Sequence, residues 1–143
     1  MVLTVFFVVI MRYLFDWGRI DVQESALYLH ATIFMLGAAY TFKYDEHVRV
    51  DIFYRPLSPR AKAWTNLMGG LLLLFPMMIF ILVMSWDYVA VAWEMREGSR
   101  EAGGLNGVWL LKGLILVFPG LVMIQGVGQM AGSCLTLLGW DKE

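Results

Sequence analysis

The chain has 143 residues, 59% of them hydrophobic and only 16% charged, with a formal net charge of −1. Soluble domains carry about a quarter charged residues, so this composition excludes an ordinary water-soluble bundle, and the few scattered basic residues exclude the broad cationic face that nucleic-acid binding requires. One cysteine, Cys134, excludes a disulfide framework and a paired-thiol metal site, and its apolar setting makes it a packing residue.

The first apolar stretch runs from Met1 to Phe15. Signal peptides place positive charge ahead of the apolar run, whereas here Arg12 follows it, so the stretch reads as the far half of a first membrane helix. Fifteen helical residues rise about 22 Å, short of the roughly 30 Å hydrocarbon layer. A start codon assigned too late and a first helix that leans on a partner both account for that.

The second span is expected over residues 25–42, interrupted only by His30 and closing on Gly37, Ala38 and Ala39, small residues that permit close helix contact. The third is expected over 58–96. Ser58 followed by Pro59 has the form of an N-cap with proline at the first helical position, and no charge occurs from Ala63 to Trp86. Pro76 should bend this helix without ending it, because neighbours in a membrane bundle can satisfy the freed carbonyl. The fourth is expected over 105–138, with Lys112 near one end and Pro119 further in. Between the second and third spans, the alternation from His47 to Tyr54 fits a short interfacial helix or an extended turn, and the short helix, ended by Pro56, is favoured.

Cytoplasmic connections retain Lys and Arg. The connection between spans two and three holds Lys43, Arg49, Arg55, Arg60 and Lys62; the first holds Arg12 and Arg19, and the third Arg96 and Arg100, both mixed with acids. The expectation is an all-α integral membrane protein, a single domain over 1–143 with four transmembrane helices and both termini cytoplasmic. Arg60 and Lys62 are then placed to meet anionic lipid headgroups, and Trp86, Trp93 and Trp109 to anchor the opposite interface.

Chemistry is sparse. His30 and His47 sit too differently for paired haem ligation, and His30 reads as a neutral side chain hydrogen-bonded to a neighbouring helix. Glu46 and His47 lack the second histidine of a zinc-protease helix, and Gly103 and Gly104 lack the lysine of a phosphate loop. Lys112 is an intramembrane charge, hence a functional suspect; lying near a helix end, it reads first as a snorkelling side chain or a structural partner of Glu94 or Glu97. Asp87 and Glu94 share one helix face, which is either a solvated end or a docking surface. Gly128 and Gly132 form a small-xxx-small pair suited to helix contact. No span shows the broken, repeated helices of a complete secondary transporter.

The stretch from Gly37 to Tyr54, GAAYTFKYDEHVRVDIFY, resembles the small membrane subunit of tripartite ATP-independent periplasmic (TRAP) transporters, through His47, Arg49, Val50 and Asp51. Arg12 with Tyr13, and Glu24, also look like family positions, and the later residues Glu97, Ser99, Gly103, Gly104, Leu105, Trp109 and Lys112 are similar to the mannitol/chloroaromatic subgroup. The resemblance implies a non-catalytic small permease subunit in the bacterial inner membrane. Its implied partners are a large multispan subunit, a periplasmic substrate-binding protein and membrane lipids. No cofactor is implied in this chain; sodium and the organic anion would bind the large subunit. Arg12, Glu24, His47, Arg49, Asp51, Gly128 and Gly132 would then serve structure or the subunit interface, and Asp87, Glu94, Glu97 and Lys112 the docking of the binding protein. The alternatives are a membrane anchor of a quinone-linked oxidoreductase and a small self-assembling channel.

Overall fold

The computed structural model describes residues 1–44 and 54–139. Among them every regular element is a helix: α1 (Val2–Leu14), α2 (Ile20–Lys43), α3 (Pro59–Gly69), a π-helical segment (Gly70–Leu74), α4 (Phe75–Glu94) and α5 (Val108–Leu138). Three helical stretches are long and apolar enough to cross a membrane: Ile20–Phe42, Pro59–Glu94 and Val108–Leu138, with 23, 36 and 31 residues. α1 is apolar but has only 13 residues.

The boundaries depart from the sequence expectation by more than one residue at three places. α2 begins at Ile20, ahead of residue 25, because Asp21 in its first turn faces the positive end of the helix dipole and its Oδ1 accepts the Val22 N–H at 2.9 Å. α5 begins at Val108 rather than 105, because Leu105 and its neighbours are engaged in the preceding connection. α4 ends at Glu94, two residues before the expected limit. Arg96 adopts φ 45°, the Glu97 N–H reaches back to Ala92 O at 2.9 Å, and the Arg96 N–H donates to Trp93 O at 3.3 Å. That pair of bonds is a Schellman stop, here with arginine at the left-handed position where glycine is usual. The short helix predicted from His47 onward lies largely outside the described residues, as do His47, Arg49 and Asp51 themselves.

The start of α3 follows expectation: Ser58 caps it by accepting the Ala61 N–H at 3.3 Å, with Pro59 next. The helix also passes Pro76 without stopping, and the π-helical segment is the reason. Proline offers no N–H, and in a regular α-turn its ring meets the carbonyl four residues back. Directly before it the chain widens, and the Phe75 N–H donates to Gly70 O, five residues away.

The Cα framework resolves into two compact units, Met1–Gly37 with Met84–Val117, and Ala38–Val83 with Phe118–Glu143. In the first, Val89 and Ala92 are buried, the Trp93 and Trp109 rings meet edge to face with centroids 4.7 Å apart, and Gly113 lets the Trp93 indole approach. In the second, Ala63, Val122 and Pro119 are buried, Gly126 admits Leu74 and Phe75, and Gly70 admits the Met130 thioether. Tyr54 donates its hydroxyl to Asn66 Oδ1 at 3.2 Å, with the Lys62 ammonium 5.4 Å from its ring centre.

Few side chains are fully buried, and large apolar ones face outward on every helix, among them Leu3, Leu73, Ile124 and Leu138. In water so much exposed apolar surface would drive aggregation; in hydrocarbon it is the solvated surface. Hydroxyls behave accordingly. Ser25, Thr32, Thr65 and Ser133 each donate to a carbonyl three or four residues back, at 2.6, 2.7, 2.9 and 2.9 Å, which satisfies a polar group where no water is at hand. Cys134, expected to pack, is exposed on α5 because the buried face there belongs to Gly126 and Ser133.

Candidate functional site

Three of the polar side chains that the sequence singles out, Glu24, Glu97 and Lys112, converge in the first unit, on the connection between α4 and α5. Glu24 projects from the second turn of α2. Its Oε1 accepts the Ser99 hydroxyl and its Oε2 accepts the Leu105 backbone N–H at 2.7 Å. One carboxylate therefore holds both ends of the short loop 99–105, which also closes on itself: the Ser99 N–H donates to Leu105 O at 3.1 Å, and the Gly104 N–H to Glu101 O at 3.1 Å. Gly104 has no side chain for a steric reason. A Cβ there would fall 2.8 Å from Glu24 Oε2 and closer still to Ser99 Cβ and Oγ. Gly103 is required differently, by φ +82° with open space around it.

A second tie lies beside the first. Lys112, in the second turn of α5, pairs its ammonium with Glu97 Oε2, and the same nitrogen sits 4.0 Å from the centre of the Tyr88 ring. The ammonium is thus enclosed by an acid and an aromatic face, an arrangement that holds a cation inside apolar surroundings. The Lys112 and Glu97 side chains are 14% and 30% exposed. The Glu97 carbonyl accepts the Trp109 N–H at 3.2 Å, so the residue just past the α4 stop caps the start of α5 from both its backbone and its side chain.

Of the expected docking residues, Glu97 and Lys112 are joined to each other, while Asp87 and Glu94 are exposed on α4. Arg12 lies in the last turn of α1 and is exposed. Gly128 and Gly132 are on α5, exposed, with nothing within 4 Å of where a Cβ would stand. His30 finds its neighbouring-helix partner in the Met1 sulfur, 3.2 Å from Nδ1, and stacks on Phe34. Sequence reasoning missed Tyr88 and Tyr28. Tyr28, one helical turn after Glu24 and so on the same face, lays its ring against Gly107, where an added Cβ would be 3.3 Å from Cε1. A groove of about 510 Å³ runs beside Glu24, lined by Ile20, Gln23, Leu27 and Glu101. Among the described residues no three His, Cys, Asp or Glu side chains are grouped to hold a metal.

Fold and site together define a helical membrane protein whose best-organised polar side chains fasten its own connections. The chain belongs to a transporter-component family: the model of the family described as tripartite ATP-independent periplasmic transporters, DctQ component, matches residues 1–135. It is the small component of such a transporter, and the family works with a large membrane subunit and a periplasmic binding protein as a tripartite system. No individual curated protein and no solved structure matches the chain significantly.

Proposed function

We propose that this chain is the non-catalytic small permease subunit of a sodium-coupled, binding-protein-dependent transporter of organic anions, resembling the mannitol/chloroaromatic subgroup. It packs against the large subunit as a static brace and helps dock the periplasmic binding protein. In this reading four helices cross the bacterial inner membrane, α1 completes its crossing against a partner, and both termini are cytoplasmic. Sodium and solute bind the large subunit. His47, Arg49 and Asp51 organise the cytoplasmic connection, and Asp87, Glu94 and the braced loop around Glu97 and Lys112 face the binding protein.

The observation that supports this reading is the contrast between engaged polar groups and bare apolar ones. Glu24, Glu97 and Lys112 are joined to groups of their own chain, whereas a Cβ added at Gly128 or Gly132 on α5 would meet nothing within 4 Å. Small residues on an uncovered membrane helix suit the close approach of another helix. The test is co-expression with the cognate large subunit. A stable complex, and sodium-dependent uptake in the presence of the binding protein, are expected; uptake that persists undiminished without this chain would overturn the proposal. Substituting Arg49 or Asp51 should weaken assembly or uptake without changing which solute is carried.

A further inference from the structure

α1 and the start of α2 leave between them a groove of about 370 Å³, within the first unit, lined by Val5, Val8, Val9 and Ala26 and by Arg12, Tyr13 and Gln23. Its walls divide by chemistry. The valines and the alanine form an apolar channel along the helices, and a guanidinium, a phenol and an amide gather at the end of α1. Two basic residues occur at this end, and they are not equivalent. Arg19 donates Nε to Asp21 Oδ1 at 3.0 Å and lies 5.7 Å from the centre of the Trp17 ring, so its charge is already matched. Arg12 has no ion pair, hydrogen bond or ring contact to its guanidinium among the described residues. Trp17, packed edge-on against Phe7 with ring centroids 6.4 Å apart, and Tyr13, 82% exposed, put aromatic rings with polar tips at the same end. Such side chains collect at the headgroup level of a bilayer.

From these observations we infer that the α1–α2 groove is a binding site for one anionic phospholipid, its phosphate on Arg12 and an acyl chain along Val5, Val8, Val9 and Ala26. A planar guanidinium matches phosphate oxygens with two parallel hydrogen bonds, and the Tyr13 hydroxyl and Gln23 amide supply further donors to the headgroup. The apolar channel accepts a hydrocarbon chain and offers nothing to a free anion. The occupant is therefore an amphiphile whose charge is negative, and not a soluble phosphate or carboxylate. The site is independent of the transport role, because it needs only the full chain in a bilayer.

The experiment is native mass spectrometry of the purified full-length chain, exchanged into mixtures of phosphatidylglycerol and phosphatidylcholine. Wild-type protein is expected to retain one phosphatidylglycerol about tenfold in preference to phosphatidylcholine. Arg12→Gln, at an exposed position that should not disturb folding, is expected to abolish the preference, and Arg100→Gln to leave it intact. Val8→Phe, which fills the channel, should lower retention of both lipids. Equal retention of the two lipids by the wild type, an unchanged preference in Arg12→Gln, or displacement of the lipid by inorganic phosphate would each overturn the proposal.

Discussion

The Glu24 carboxylate accepts the Leu105 backbone N–H at 2.7 Å across 81 positions of sequence, and it accepts the Ser99 hydroxyl at the same time. A charged residue in the second turn of an apolar helix is thereby the fastening of a loop that follows one further span. Removing the carboxylate leaves a backbone donor and a hydroxyl without a partner in a half-buried place, and hydrogen bonds to charged acceptors contribute about 1.5–3 kcal/mol each. Glu24→Ala is expected to lower stability by about 3 kcal/mol, and Glu24→Gln by less, since one acceptor oxygen remains. Thermal unfolding of the purified chain in detergent measures both; a Glu24→Ala variant as stable as the wild type would contradict the fastening role.

Gly104 and Gly128 separate packing within the chain from packing between chains. Gly104→Ala drives a methyl into Ser99 and Glu24 and is expected to destabilise the isolated protein by about 2–3 kcal/mol, the range of a strained overpacking. At Gly128 an added Cβ has nothing within 4 Å, so Gly128→Leu should leave the isolated protein's Tm nearly unchanged. Under the proposed function it lowers recovery of the complex with the large subunit in pull-down.

Arg96 occupies a left-handed turn at φ 45° and is exposed. A left-handed conformation costs a non-glycine residue roughly 1–2 kcal/mol, partly offset by the greater freedom glycine has when unfolded. Arg96→Gly should therefore stabilise the protein by about 0.5–1 kcal/mol, read as a higher Tm in the same detergent assay.

Lys112 and Glu97 form a pair in which each partner excuses the other's charge. Lys112→Met strands a carboxylate, Glu97→Gln strands an ammonium, and each single change should lower the Tm more than the double change Lys112→Met/Glu97→Gln does. A double-mutant cycle in detergent gives the coupling, and additive single effects would mean that the two charges act independently.

The helices were legible because crossing apolar material demands long uncharged runs, and residues 59–94 and 108–138 carry that demand openly. Ser58 and Pro59 announced the start of α3 through local chemistry alone. The start of α2 was not legible: Asp21 and Glu24 lie inside it, the first favoured by the helix dipole and the second engaged by a distant loop, and neither reason is visible in a hydropathy window. The pairing of Lys112 with Glu97 was one of the two pairings the spacing allowed; the Tyr88 ring over the ammonium depends on how α4 and α5 pack, which no local pattern encodes. The left-handed Arg96 was hidden as well, since the usual glycine signal is absent there. The motif at His47, Arg49 and Asp51 was the clearest pointer to the family, although these residues lie outside the described structure.

The wide turn over Gly70–Leu74 has an effect that reaches past Pro76. A loop of five rather than four residues per backbone bond inserts the equivalent of one extra position, and one position on a helix is about 100° of rotation. The residues that follow are therefore turned by that angle relative to an unbroken spiral, while Leu74 and Phe75, at the end of the wide turn itself, lie against Gly126. Straightening this turn into a regular one without removing a residue would leave hydropathy untouched, yet it would swing the following side chains a quarter-turn and more around the axis, exchanging the surface that greets lipid for the one that greets protein. A change invisible to composition would thus be read by the molecule as a change of handed phase.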